Sequence, residues 1–352
     1  MTSEASEAMG PASAVSAGSG GLGDPAVALT FLVCSERSGS NLIRSILNAH
    51  PEVFAPEPIH LGAFWERLDE FGDLRDDERW RALLAAIVEF LREWNGTLHP
   101  SVALRVDELL ERIPRREFVA IYEHVYCRGL AASGKPRLFV KENHTAQRSP
   151  ILLRHYPGAR FVYQVRDPRD FLASCKRMSR FKYGSAEGAL AVWCADQRAA
   201  AELRARLPPE RMFRGRYETL IHEPERYLGE LCERMGIPFV PQMLAFHETA
   251  DAQRAAAHEA WRNLGRPIIR DNSGHYVQTL SPEEIALVET HAHALMLELG
   301  YPVDRPADPS IDGTGLSLPG EGEPHRRRVD DGSSSSVVHR VIDRHVAALA
   351  GR

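Results

Sequence analysis

Four short apolar runs punctuate this chain, at residues 30–34, 137–141, 160–165 and 212–217. Each is rich in β-branched or aromatic side chains and bounded by turn residues, as buried strands are. Between them the apolar positions shift to helical spacing. Leu42, Ile43, Ile46 and Leu47 mark one helix over 41–47, and Phe118, Ile121, Tyr122 and Val125 mark another over 116–132 that stops at Gly134. Ile151, Leu152, Leu153 and Tyr156 mark a third, and further helices follow residue 171 and run to Met235. Residues 61–112 read as mostly helical, with Phe64, Trp65, Trp80 and Phe90 on a packing face. Strands alternating with helices predict parallel βαβ units: an α/β fold of three layers, with a central parallel sheet flanked by helices. In such folds ligands bind at the carboxyl ends of the strands.

The remaining segments set the boundaries. Pro56 and Pro58 flank Glu57 and hold residues 52–58 extended, with no room for a helix. Ser281 followed by Pro282 opens a helix that runs to Leu299 and ends at Gly300. Residues 1–27 read as a disordered tail, 28–302 as the folded domain and 303–336, rich in Pro, Gly, Asp, Arg and Ser, as a flexible linker. The final 337–352 is a short amphipathic segment, read first as a frayed tail and second as a docking or oligomerisation helix. A homodimer is therefore among the expected assemblies.

Composition narrows the function classes. With 352 residues and a formal charge of −5, nothing favours nucleic acid as a partner. Five dispersed cysteines without a CxxC pair argue against a disulfide framework and a structural zinc site, and for a reducing, cytoplasmic setting. No apolar run approaches the roughly 18 residues of a membrane span, and the N-terminus lacks the basic and apolar regions of a secretory signal. His291 and His293 stand two apart on one helix, the wrong spacing for a helical metal pair, and no metal is expected.

The chemistry gathers at strand ends. After the first strand comes Ser35-Glu36-Arg37-Ser38-Gly39-Ser40, a small polar turn into a helix. Free N–H groups at a helix start favour an anion, Arg37 adds a full charge, and Ser38 and Ser40 add hydroxyls. The competing reading is an ordinary turn with a serine cap. Lys141-Glu142-Asn143-His144 ends the second strand, and Arg166-Asp167-Pro168-Arg169-Asp170 ends the third. Glu142 is expected to face away from Lys141 as a solvated carboxylate. Residues 129–135 imitate a Walker A loop, but a helix precedes them and Pro136 replaces the magnesium-binding hydroxyl, so the match is rejected.

Taken together, residues 28–301 resemble the sulfotransferases that use 3'-phosphoadenosine 5'-phosphosulfate (PAPS). Arg37-Ser38-Gly39-Ser40-Asn41-Leu42 is similar to the 5'-phosphosulfate loop in the form common in bacterial and carbohydrate-directed members. The run from Phe161 through Arg166 to Ser174 resembles the 3'-phosphate motif, and Tyr217 matches a tyrosine that packs by the adenine. Residues 272–276 through Tyr301 resemble the cofactor-covering part. The Arg-Lys-Gly signature of cytosolic members is missing there, and Arg266 and Arg270 are the residues available to replace it. The resemblance implies a P-loop-NTPase-like fold and PAPS as co-substrate.

It also implies in-line transfer of a sulfuryl group to a hydroxyl or amine, with release of adenosine 3',5'-bisphosphate. Arg37 would hold the 5'-phosphate, Arg166 and Ser174 the 3'-phosphate, and Lys141 the bridging oxygen. Glu57 is the first candidate for general base. His144 is the reserve, because Asn143 occupies the place where cytosolic members carry histidine. The acceptor is a small molecule or carbohydrate, with Phe64, Trp65 or Trp94 as possible pocket walls. Two rival readings stay open: a nucleotide-dependent kinase or NTPase, and a catalytically silent binding protein of the same fold.

Overall fold

Five strands, β1 (Ala28–Val33), β2 (Val53–Phe54), β3 (Arg137–Lys141), β4 (Arg160–Val165) and β5 (Met212–Arg216), pair in parallel in the order β2-β3-β1-β4-β5. They come from a computed structural model, which describes residues 21–22, 27–94, 96–178, 183–306, 316 and 334–351. The helices are α1 (Ser40–Asn48), α2 (Asp77–Glu93), α3 (Val106–Arg112), α4 (Phe118–Ser133), α5 (Ser149–His155), α6 (Pro168–Lys176) and α7 (Ala186–Ala205). They continue with α8 (Tyr217–His222), α9 (Pro224–Met235), α10 (Ala250–Ala255), α11 (Tyr276–Thr279), α12 (Pro282–His291), α13 (His293–Leu299) and α14 (Ser334–Ala350).

Alternation along the strands divides the core. Leu29, Phe31 and Val33 of β1, with Leu138, Val140, Phe161 and Tyr163, join the layer built by α2, α4, α6 and α7. Leu32, Phe139, Val162 and Phe213 point the other way, into a smaller layer with α1, α8 and α9. Both faces are covered, so the strands read as continuous apolar runs rather than alternating ones. This is a P-loop-NTPase-like fold, and the loop after the central strand β1 opens at its carboxyl edge.

Several expectations need correction. The extended segment at 52–58 contains β2, an edge strand whose Val53 and Phe54 pair with Arg137 and Leu138; two residues between turn signals are too few to show a period. Residues 61–112 are mostly helical as read, in three pieces, of which the first, Leu61–Phe71, is 3-10 helix. The last helix divides at Ala292 into α12 and α13. Gly129, inside the rejected Walker match, lies within α4, where a side chain would run into Leu98 and Phe54. The proposed N-terminal tail and linker fall largely outside the described residues, although Leu22 is buried in the larger core.

The frayed-tail reading gives way to a docked helix. Val337, Val338, Val341 and Ile342 of α14 are buried in the larger core layer, and its polar side is pinned by charge. Arg67 bonds to Asp343 at 2.5 Å and to the His339 carbonyl at 3.2 Å, while Arg340 reaches Glu93 at 3.0 Å and His345 reaches Glu89 at 2.7 Å.

Candidate active site

The turn after β1 has the local features of an anion-binding turn. Arg37 and Gly39 both adopt left-handed backbone, with φ of 64° and 77°. Gly39 caps α1 without any side-chain cap bond, so the serine-cap alternative is not realised and the first N–H groups of the helix are left for a ligand. Ser38 Oγ and Asn41 Oδ1 are buried with no hydrogen-bond partner. A side chain on Gly39 would overlap the Tyr217 ring, so glycine is required by space as well as by φ.

Arg166, at the end of β4, closes on this turn. Its NH1 donates to the Arg37 carbonyl at 2.9 Å and its NH2 to the Asn272 carbonyl at 3.2 Å, while its Nε is buried without a partner. Arg166 makes no ion pair with Asp170, four residues on. Asp170 instead accepts the backbone N–H groups of Gly274 (2.6 Å) and Tyr276 (3.1 Å), strapping residues 272–276 across the end of α6. Arg37 Nε donates to Ser174 Oγ at 3.2 Å, so the turn after β1 meets α6. Burial, aided by the nearby charges of Arg166 and Arg37, lowers the Arg177 guanidinium below its usual value.

Arg37, Gly39 to Leu42, Arg166 and Tyr217 line one cleft, which encloses about 700 Å³ including the solvent at its mouth. The opposite wall was not legible from the sequence motifs. It comes from the 3-10 helix Glu259–Gly265 and the residues after it, with Trp261, Leu264, Ile268 and Ile269 as its apolar part and Asn272 at its end. Asn272 Nδ2 donates to the Tyr217 hydroxyl at 2.7 Å. Arg266 and Arg270 are not among the lining residues, and Arg270 turns to the His222 carbonyl at 3.1 Å.

Lys141, Glu57 and His144 lie outside that cleft lining. Lys141 ends β3 beside Leu32 of β1, and its Nζ donates to Asn143 Oδ1 at 2.9 Å. Asn143 Nδ2 in turn donates to Glu36 Oε1 at 2.6 Å, which brings a carboxylate of the phosphate turn into the lysine's surroundings. Glu57 is 2% exposed; its Oε2 accepts the Thr97 N–H at 2.8 Å and its Oε1 accepts Arg254 Nε at 3.0 Å. His144 is exposed, on left-handed backbone with φ of 57°. Glu142 does face away from Lys141, but it is buried rather than solvated, held by the Tyr126 hydroxyl at 2.7 Å and the Gly62 N–H at 2.9 Å. Burial pushes the Cys34 thiol up to about 12, which removes it as a nucleophile. Among the described residues there is no cluster of metal-ligating side chains, and no helix long and apolar enough to cross a membrane.

A family model described as the sulfotransferase family matches residues 30–242. The nodulation protein NoeE of Sinorhizobium fredii is 26% identical over 310 residues, spanning 79% of this chain and 67% of its own length. A putative protein-tyrosine sulfotransferase of Caenorhabditis briggsae is 24% identical over 230 residues, 64% of this chain and 71% of that protein. Among solved structures, the sulfotransferase domain from the curacin biosynthetic pathway superposes with a TM-score of 0.51 at 20% identity, covering 78% of this chain and 98% of that domain. The sulfotransferase domain of the Synechococcus PCC 7002 olefin synthase gives 0.51 at 19%, covering 74% and 93%. At these identities the structural likeness concerns the fold.

Proposed function

Because this chain belongs to the sulfotransferase family, we propose that it takes its sulfuryl group from PAPS and passes it in line to a hydroxyl or amine of a small-molecule or carbohydrate acceptor, leaving adenosine 3',5'-bisphosphate. The observation that carries the nucleotide half is the pair of buried donors without acceptors, Ser38 Oγ and Arg166 Nε, beside a helix start with no side-chain cap. Unmet buried donors are costly, and phosphate oxygens meet that need. The bound nucleotide would supply the sulfuryl group and depart with the bridging oxygen.

Arg37 and the first N–H groups of α1 hold the 5'-phosphate, and Arg166 and Ser174 hold the 3'-phosphate. Tyr217 and the apolar wall at Trp261 and Ile268 flank the base. Lys141 lies at the strand end next to the phosphate turn and stabilises charge on the leaving oxygen; in such transfers the protein supplies position and electrostatics rather than covalent chemistry. Of the two candidate bases, Glu57 is favoured over His144. A carboxylate held from two sides is fixed in one orientation, as proton transfer requires, whereas His144 sits exposed on a turn.

The test is a titration with adenosine 3',5'-bisphosphate and adenosine 5'-phosphate, repeated with Arg166→Ala. The bisphosphate should bind far more tightly. The variant should lose at least about tenfold of that affinity and little of the monophosphate's, the range for a hydrogen bond to a charged group. Equal weak binding of both nucleotides would sink the PAPS reading.

A further inference from the structure

A chain of alternating charges joins Glu57 to α10, the helix that precedes the wall of the nucleotide cleft. Arg254, whose Nε holds Glu57, also bonds through NH2 to Asp251 Oδ1 at 3.0 Å, one helical turn back on α10. The other oxygen of Asp251 meets Arg44 NH1 at 2.7 Å. Arg44, on α1, is 1% exposed, and the same NH1 donates to the Ala55 carbonyl at 3.0 Å, on the segment that carries Glu57. The sequence Glu57, Arg254, Asp251, Arg44 thus neutralises itself and closes on the stretch where it began. Past α10 the chain runs into the 3-10 helix Glu259–Gly265 and then the cleft wall.

Size makes these ion pairs matter. α10 buries only two small side chains, Ala252 and Ala255, so apolar packing does little to hold it in place. Glu57 is 2% exposed while the Arg254 side chain is 39% exposed, so losing Arg254 leaves a buried carboxylate with only the Thr97 N–H and loosens its tie to α10. Arg254 itself is not among the residues lining the cleft, so any effect on nucleotide binding must travel through the wall.

We infer that Arg254 is a positioning residue that couples the orientation of Glu57 to the seating of the nucleotide wall, so that the base is aligned as the nucleotide is enclosed. This rests on the PAPS reading and on Glu57 as the base. Coupling of this kind is reciprocal: the nucleotide tightens the hold on Glu57, and the hold on Glu57 tightens the nucleotide.

Calorimetric titration of the full chain with adenosine 3',5'-bisphosphate tests it in wild type, R254Q, E57A and the double variant, with R254K as the conservative replacement. R254Q should weaken binding about tenfold, within the usual span of coupled sites, and R254K should restore most of it. E57A should cost a similar factor, and the double variant should bind no worse than the weaker single one, because both lesions cut the same link. A purely local packing role for each residue would make the losses multiply instead. Wild-type affinity in R254Q, or multiplied losses in the double variant, overturns the coupling. If either glutamate or arginine variant fails to fold, D251N enters the cycle in its place with the same expectation. Absence of 3'-phosphate-dependent binding in the wild type is a different failure, of the PAPS reading itself.

Discussion

The guanidinium carbon of Arg166 lies 4.5 Å from the centroid of the Tyr217 ring, and that ring also fills the space in front of Gly39. Three sequence motifs separated along the chain therefore form one packed unit: the phosphate turn, the arginine ending β4 and the tyrosine opening α8. Cation–π contact holds Arg166 in place while its Nε has no protein partner.

Gly39→Ala should disrupt this unit without unfolding the protein. It combines a left-handed backbone with overlap against Tyr217, so affinity for adenosine 3',5'-bisphosphate should fall at least about tenfold. Combining it with Tyr217→Ala removes the overlap but not the backbone strain. In the G39A/Y217A protein, calorimetry should find a smaller loss than the two single losses multiplied together.

Lys141→Met separates chemistry from binding. If Lys141 acts on the leaving oxygen, single-turnover consumption of PAPS with acceptor should slow about 10²–10³-fold, the range for removing one donor from a developing anion, while nucleotide affinity changes little. Asn143→Ala should slow it less, because Asn143 holds Lys141 only from one side. Equal loss of affinity and turnover in K141M would reassign the lysine to ground-state binding.

Glu142 gives the protein a pH dependence unrelated to catalysis. Burial raises its carboxyl above the ordinary value of 4.5, against the opposing pull of Arg148 and the bonds from Tyr126 and Gly62. Its folded form therefore keeps a proton that the unfolded chain releases. The contribution is fully present below 4.5 and is lost as pH rises through the raised folded value. Burial raises Glu218 in the same direction. Denaturant midpoints measured at a series of pH values should show Glu142→Gln gaining on the wild type as pH climbs from 4.5 toward neutrality. A constant offset between the two proteins would refute this.

The docked helix α14 carries a further prediction. Ile342 is fully buried, so Ile342→Ala should cost about 2–5 kcal/mol, lowering the unfolding midpoint. Arg340→Ala, at an exposed ion pair with Glu93, should cost at most about 1 kcal/mol. Limited proteolysis should cut the I342A protein near α14 before the rest of the domain.

Which features were legible follows from where the physics is local. β3 and β4 were read to the residue because buried parallel strands are unbroken apolar runs with sharp ends. The phosphate turn was legible because its small residues and arginine stand side by side in sequence. The opposing wall was not: Trp261, Leu264 and Ile268 lie on 3-10 helix and irregular chain, where apolar residues follow no single period. Arg254 escaped notice for a similar reason, since its partner Glu57 lies far off in sequence and only folding brings the two charges together. Residues 337–342 did show their stripe, but a stripe alone does not say whether a partner surface exists; α2 and the helix Leu61–Phe71 supply it.

The strand order sets a timetable for folding. β1 is synthesised first, yet its neighbours are β3 and β4, with Ala28 pairing with Arg137 and Thr30 with Arg160. β2 follows it and, among the described residues, pairs with β3 alone. Until the chain beyond Lys141 has emerged, the first strand carries two unpaired edges; one stays open until β4 follows, and until then the turn after β1 has no Arg166 to rest against. Long-range parallel pairing of this kind folds slowly and leaves sticky edges open meanwhile. The turn after β1 is therefore made well before the arginine it rests against.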